Sequence, residues 1–178
     1  DIKWFREKYG INKAQVIMSV GRLVKYKGFD LLVRAFAIAH KVLPDSKLLI
    51  IGSDFGYRRE LEKIINETGC QDSIILAGGI SDEELNIALE TADIIVHPSL
   101  FETFGITIVE AWAHKKPVIA FDRVGKLISK ETVVTVDYLD VEGLAQAIIM
   151  LLPDGELCRK LGSEGYELVK KYYNWDKV

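Results

Sequence analysis

Ile94-Ile95-Val96-His97-Pro98-Ser99-Leu100-Phe101-Glu102-Thr103-Phe104-Gly105-Ile106-Thr107-Ile108-Val109-Glu110-Ala111-Trp112-Ala113-His114-Lys115-Lys116-Pro117-Val118-Ile119-Ala120-Phe121 is the stretch that decides the fold. Its two ends, Ile94 to Pro98 and Val118 to Phe121, are apolar nearly straight through, as strands covered on both faces are. Between them, Ile106 to His114 carries apolar residues at helical spacing and stops before Pro117. A strand, a helix and a strand in so short a span make the unit from which parallel sheets are built.

The same alternation runs along the rest of the chain. Further strands are expected at Val16 to Val20, Lys47 to Gly52, Ile74 to Ala77 and Val133 to Val136. Helices are expected at Phe29 to Leu43, Tyr57 to Thr68, Asp82 to Thr91, Val141 to Leu152 and Gly155 to about Tyr172. Gly69 reads as a helix C-terminus, and Ser81 with Glu84 reads as a capping box. About six strands alternating with helices, with no repeat and no linker, predict a single α/β domain over residues 1–178. The architecture is a doubly wound, Rossmann-like three-layer α/β/α sandwich on a parallel sheet.

Composition narrows the function. The chain has 178 residues, a net charge of −3 and 49% hydrophobic residues, enough for a real core and too apolar for disorder. A slightly acidic chain supplies no basic field, which argues against nucleic acid as a partner. No apolar run approaches the ~20 residues of a transmembrane segment. Cys70 and Cys158 form no CxxC pair, which suits a reducing, cytoplasmic setting. His40, His97 and His114 have no ligand spacing, so no metal is expected.

Ligands of doubly wound sheets bind beyond the C-terminal strand ends, and two of those ends carry chemistry. The first reads Gly21-Arg22-Leu23-Val24-Lys25-Tyr26-Lys27-Gly28-Phe29. Gly21 permits a sharp exit from the strand. Arg22, Lys27 and the start of the next helix together offer a diphosphate cradle. The segment is neither GxGxxG nor GxxxxGK[ST], which disfavours a dinucleotide oxidoreductase and a P-loop enzyme. No G-x-S-x-G elbow occurs either. The fourth strand end places Glu102 in a loop and Glu110 inside a helix that is apolar nearly all round and is therefore expected to be well buried. A carboxylate in such a helix calls for an ordered partner. Eight helical residues rise about 12 Å, a separation that suits the two ends of an extended ligand. An acid and base sharing one bond need roughly 5–10 Å. Gly105 lets backbone approach a ligand closely.

These residues resemble a known family. Glu102-x7-Glu110, within Pro98-Ser-Leu-Phe-Glu-Thr-Phe-Gly105 and Glu110-Ala-Trp-Ala113, resembles the retaining nucleotide-sugar glycosyltransferases of the GT-B fold. These are the glycosyl transferases group 1, which include glycogen and sucrose synthases. Val20-Gly-Arg-Leu23 with Lys27-Gly-Phe29, Ile51-Gly52-Ser53, Leu76-Ala-Gly-Gly-Ile80 and Lys116-Pro-Val-Ile-Ala120 match other strand ends of the same family, from about Asn12 to Trp175. The resemblance implies that Arg22 and Lys27 neutralise a donor diphosphate while Glu110 binds the ribose. It implies that Glu102 and the backbone at Phe104, Gly105 and Ile106 hold the transferred sugar. Gly21 and Gly52 would border the donor, and Gly79 and Ile80 the nucleobase. The implied activity is retaining hexosyl transfer from a nucleoside-diphosphate sugar, with no cofactor and no bound metal.

Two departures from the family stand out. The segment His114-Lys115-Lys116 stands where the family commonly has a small residue or glycine. The stretch from Arg123 to Glu131 is short beside the usual loop. The resemblance covers only a C-terminal, donor-binding half, so an N-terminal acceptor half is the expected partner, and any membrane-surface role would belong to it. A non-catalytic nucleotide- or phosphate-binding module and a nucleotide-sugar epimerase of the same fold remain the alternatives.

Overall fold

The apolar runs form six parallel strands, β1 (Gln15–Val20), β2 (Ser46–Ile51), β3 (Ile74–Gly78), β4 (Ile94–His97), β5 (Val118–Phe121) and β6 (Val133–Val136). The computed structural model of the chain describes residues 1–124 and 131–173. Within them the helices are α1 (Ile2–Lys8), α2 (Phe29–Val42), α3 (Arg58–Thr68), α4 (Asp82–Thr91), α5 (Ile106–Ala113), α6 (Val141–Leu151) and α7 (Gly155–Tyr172). The sheet order is β3-β2-β1-β4-β5-β6 with every pairing parallel. The chain first winds outward from β1 to β3, then returns to lay β4 on the other side of β1. The loops leaving β1 and β4 therefore part above neighbouring strands and open a crevice at the C-terminal edge.

Both faces of the sheet are buried, which is why the strands read as unbroken apolar runs. Ile17, Leu48, Ile50, Ile94, Val96 and Ile119 point into one core with α2, α3 and α6. Val16, Met18, Leu49, Ile95, Val118 and Ala120 point into the other with Trp112 of α5. Strand and helix limits fall within a residue or so of those expected, and Gly69 ends α3 in the left-handed region at φ 73°.

Two expectations need correction. Ser81 caps α4 by accepting from the Glu84 amide at 3.2 Å, but Glu84 does not reach back to close the box. Its carboxylate goes to Lys8 at 2.5 Å and accepts from the Tyr9 hydroxyl at 2.8 Å, an ionic and hydrogen-bonded partnership with α1. The second correction concerns α5, which is not buried all round. Ile108, Ala111 and Trp112 are buried, but Ile106 is 62% exposed, because among the described residues no element covers that side. The family departure at His114-Lys115-Lys116 also gains a physical meaning. Lys115 takes φ 56°, a left-handed conformation that a glycine adopts without strain. The expectation about the Arg123 to Glu131 loop falls mostly on residues 125–130, outside the described residues, as do Asn174 to Val178.

α7 docks onto α5 through two glycines. A Cβ at Gly165 would lie 2.2 Å from Cδ1 of Trp112, and one at Gly162 would lie 2.0 Å from the Lys115 carbonyl oxygen. Helix propensity alone gives Gly162→Ala a gain of about 1 kcal/mol. The backbone clash outweighs it, and a net loss of about 1–3 kcal/mol is expected in urea unfolding. A net gain would show that the two helices part at no cost.

Candidate functional site

The crevice is built where the two parting loops touch. Gly28, at φ 71°, brings its Cα so close to the loop after β4 that a Cβ would sit 2.0 Å from the Pro98 carbonyl oxygen. The Leu100 amide donates to the Tyr26 carbonyl at 2.8 Å. This clasp sets Lys27 opposite Glu102, with Nζ 3.5 Å from Oε2. Glu102 Oε2 also lies 3.1 Å from Nε2 of His97, the last residue of β4, and Thr107 Oγ1 lies 3.1 Å from the other ring nitrogen. The Thr103 amide donates to Glu102 Oε1 at 3.2 Å.

Glu102 is thus a well-partnered carboxylate. Burial alone would raise its pKa, but Lys27, His97 and the Gly105 and Thr103 amides together hold it below the usual range. His97 is 3% exposed. Burial holds its imidazole below the usual histidine range, and the Glu102 charge offsets this only in part.

Arg22 is exposed and stands at the rim. Its Nη2 donates to the Tyr26 hydroxyl at 3.0 Å, and its guanidinium lies 5.3 Å from the ring centre of Phe55. Neither contact consumes its full set of five donors. Beside it the first three strand ends meet in glycine. A Cβ at Gly52 would lie 1.7 Å from the Gly21 carbonyl oxygen, and one at Gly79 would lie 2.4 Å from Ser53 Oγ. The edge next to Ile80 is consequently lined by backbone at close approach.

α2 and α5, the helices that open onto this crevice, begin at left-handed glycines, Gly28 and Gly105, and neither has a side-chain cap. By contrast α1, α4, α6 and α7 are capped by Asp1, Ser81, Asp140 and Asp154. Uncapped first-turn amides carry about half a positive charge.

Glu110 stands apart from the Lys27–Glu102–His97 group. It is half-buried on α5, and no hydrogen bond or ion pair reaches its carboxylate among the described residues. Burial pushes its carboxyl up, with Asp82 adding to the shift and His114 opposing it. It borders a groove of about 750 Å³ between α5 and α7, whose apolar lining includes Phe104, Ile106, Val109 and Val169. Phe104 and Ile106 themselves are 60% and 62% exposed.

The structure therefore joins Lys27 and Glu102 directly, sets Arg22 on the same loop as Lys27, and places Glu110 in the second turn of the helix that Gly105 opens. It also adds His97 and Thr107, which the spacing arguments passed over. A histidine ending an otherwise apolar strand five residues before Glu102 was the available signal. Among the described residues, no three His, Cys, Asp or Glu side chains converge as metal ligands.

The sequence profile of the glycosyl transferases group 1 matches residues 1–168. An alpha-D-kanosaminyltransferase of Streptomyces kanamyceticus is 30% identical over 172 residues, covering 95% of this chain and 44% of that protein. Sucrose-phosphate synthase from Thermosynechococcus elongatus superposes with a TM-score of 0.85 at 31% identity, over 97% of this chain and 45% of that one. The C-terminal domain of the group 1 protein LpcC from Francisella tularensis superposes at 0.82 with 27% identity, over 98% of both chains. The chain thus spans less than half the length of the kanosaminyltransferase.

The two acids should leave opposite marks on stability. Glu102, held low, adds stability that is complete above the unfolded carboxylate pKa and lost as pH falls through its native value. Glu110, pushed up, costs stability as pH rises from the unfolded value through its native one. Glu110→Gln is expected to raise the urea midpoint at neutral pH, with the gain vanishing below about pH 4. Glu102→Gln is expected to lower it, with the loss shrinking toward the same acid limit. A Glu110→Gln variant less stable than the parent at neutral pH would contradict this electrostatic reading.

Proposed function

The chain belongs to the glycosyl transferases group 1 family, and we propose that it is the half of such an enzyme that binds the nucleoside-diphosphate sugar. The observation that carries this reading is the crevice itself. A cationic loop after β1 is clasped to an acidic loop after β4, over two helices that start without side-chain caps. Arg22, Lys27 and the first-turn amides of α2 would meet the diphosphate. Glu110, a half-buried carboxylate with no hydrogen-bonded or ion-paired partner among the described residues, would accept the ribose hydroxyls. The glycine-lined edge at Gly21, Gly52 and Gly79, with Ile80, would take the nucleobase and the adjoining donor. Glu102 and the backbone at Phe104, Gly105 and Ile106 would hold the transferred sugar.

The chemistry follows from those contacts. When the bond between the anomeric carbon and the β-phosphate oxygen breaks, negative charge grows on the departing diphosphate. Arg22 and Lys27 stabilise that charge where it develops, without a resident metal, and such preorganised donors act most strongly in a site from which water is excluded. Retention at the anomeric carbon is the expected stereochemistry, with a hexosyl group passing to an acceptor. An N-terminal half would supply the acceptor site and cover Phe101, Phe104 and Ile106, which are 67%, 60% and 62% exposed. Such solvent-facing aromatic and aliphatic groups mark interaction surfaces when they cluster. A cytoplasmic site of action is part of this proposal; no helix among the described residues is long and apolar enough to cross a membrane.

Titration calorimetry of this chain with UDP-, GDP- and ADP-sugars tests the reading. At least one should bind, and Glu110→Gln and Arg22→Ala should each weaken nucleoside-diphosphate binding about tenfold or more, the scale of one lost charge-assisted hydrogen bond. Unchanged affinity in both variants would overturn it.

A further inference from the structure

We propose that His97, fixed by Thr107, is a positioning residue that holds the Glu102 carboxylate in place for the transferred sugar when Lys27 turns to the diphosphate. The inference rests on the donor-binding reading above and deepens it. Its basis is the chain of contacts from Thr107 through His97 to Glu102 and Lys27, with separations of 3.1, 3.1 and 3.5 Å.

Proton bookkeeping fixes the direction of each bond. An ionised carboxylate only accepts, so Nε2 of His97 must carry a hydrogen and donate it to Glu102 Oε2. In the neutral ring Nδ1 then has a lone pair, and the Thr107 hydroxyl donates to it. One arrangement of protons satisfies all three groups. The ring is buried at the end of β4, 3% exposed. Thr107 lies in the first turn of α5 next to Gly105, whose amide also serves Glu102. A single helical turn thus orients both the imidazole and the carboxylate.

Exposure separates the roles of the partners. The Glu102 side chain is 16% exposed and that of His97 is 4% exposed, so a ligand reaches the carboxylate and not the ring. The Lys27 contact is the longest of the set and lies on the side from which a diphosphate would come. When Lys27 exchanges Glu102 for phosphate oxygens, His97 and the Thr103 amide remain as the carboxylate's anchors. The charged groups that His97 faces are Glu102 and Lys27.

The test combines a spectrum with a binding split. In ¹⁵N-labelled chain at neutral pH, His97 should show a protonated Nε2 and a pyridine-like Nδ1, and should gain its second proton at lower pH than a free histidine does. Thr107→Val should release that single tautomer. In calorimetry, UDP-glucose and GDP-mannose are compared with UDP and GDP. His97→Phe should weaken whichever sugar nucleotide binds by about tenfold, while the matching nucleotide changes by less than about twofold. His97→Gln, which can present an N–H near the position of Nε2, should recover most of the loss. Should His97→Phe fail to fold, Thr107→Val carries the same comparison: it too should weaken the sugar nucleotide more than the matching nucleotide.

Equal losses for nucleotide and sugar nucleotide, full affinity in His97→Phe, or a protonated Nδ1 would each overturn the proposal. If the parent chain binds neither these four ligands nor an ADP-sugar, the donor-binding reading fails instead, and the imidazole spectrum still decides whether His97 holds Glu102.

Discussion

The close approach of Gly28 to the Pro98 carbonyl is the contact on which the crevice depends. It exists because the strand order reverses between β1 and β4, which sends their two loops apart over adjacent strands. At that point backbone must pass backbone with no room for a Cβ, and the Tyr26 carbonyl ties the loops by accepting from Leu100. Lys27 and Glu102 come from residues far apart in the chain, and this clasp is what sets them opposite each other. The electrostatics of the site therefore rest on a steric fact about one glycine.

Around that clasp the molecule leaves polar groups unfinished in a selective way. α2 and α5 begin at bare glycines, whereas α4, which starts beside Ile80 on the same sheet edge, is capped by Ser81, and α6 by Asp140. The two acids also differ in how far their needs are met. Glu102 is partnered by an ammonium, an imidazole and backbone amides, whereas Glu110 is half-buried and lacks a hydrogen-bonded partner among the described residues. An unpartnered, partly desolvated carboxylate costs stability. Proteins tolerate such local violations chiefly where a ligand completes the arrangement.

The same logic applies to the apolar face of α5. One side of the helix packs Trp112 against Gly165 of α7. The other side presents Ile106 to solvent beside the exposed ring of Phe104, bordering a groove that ends near Glu110. A helix apolar all round implies cover all round, and the chain spans less than half of the kanosaminyltransferase it resembles.

By itself the sequence determined the six strands, the helices between them, their parallel pairing and the two loops that carry charge. Those features are local: apolar runs, helical spacing, glycine and proline stops, and motifs a few residues long. It also marked Gly105, Glu102 and Glu110, since a turn residue and acids in an apolar stretch stand out without any partner in view. It did not reveal that Glu84 would leave its helix cap for Lys8 and Tyr9, that α5 would be covered on one side only, or that His97 and Thr107 would hold Glu102. Each of these is settled by which distant group arrives within about 3 Å, the range in which a hydrogen bond forms. Spacing along the chain cannot express that distance, because it is fixed only when β4 is laid beside β1 and the loops above them close.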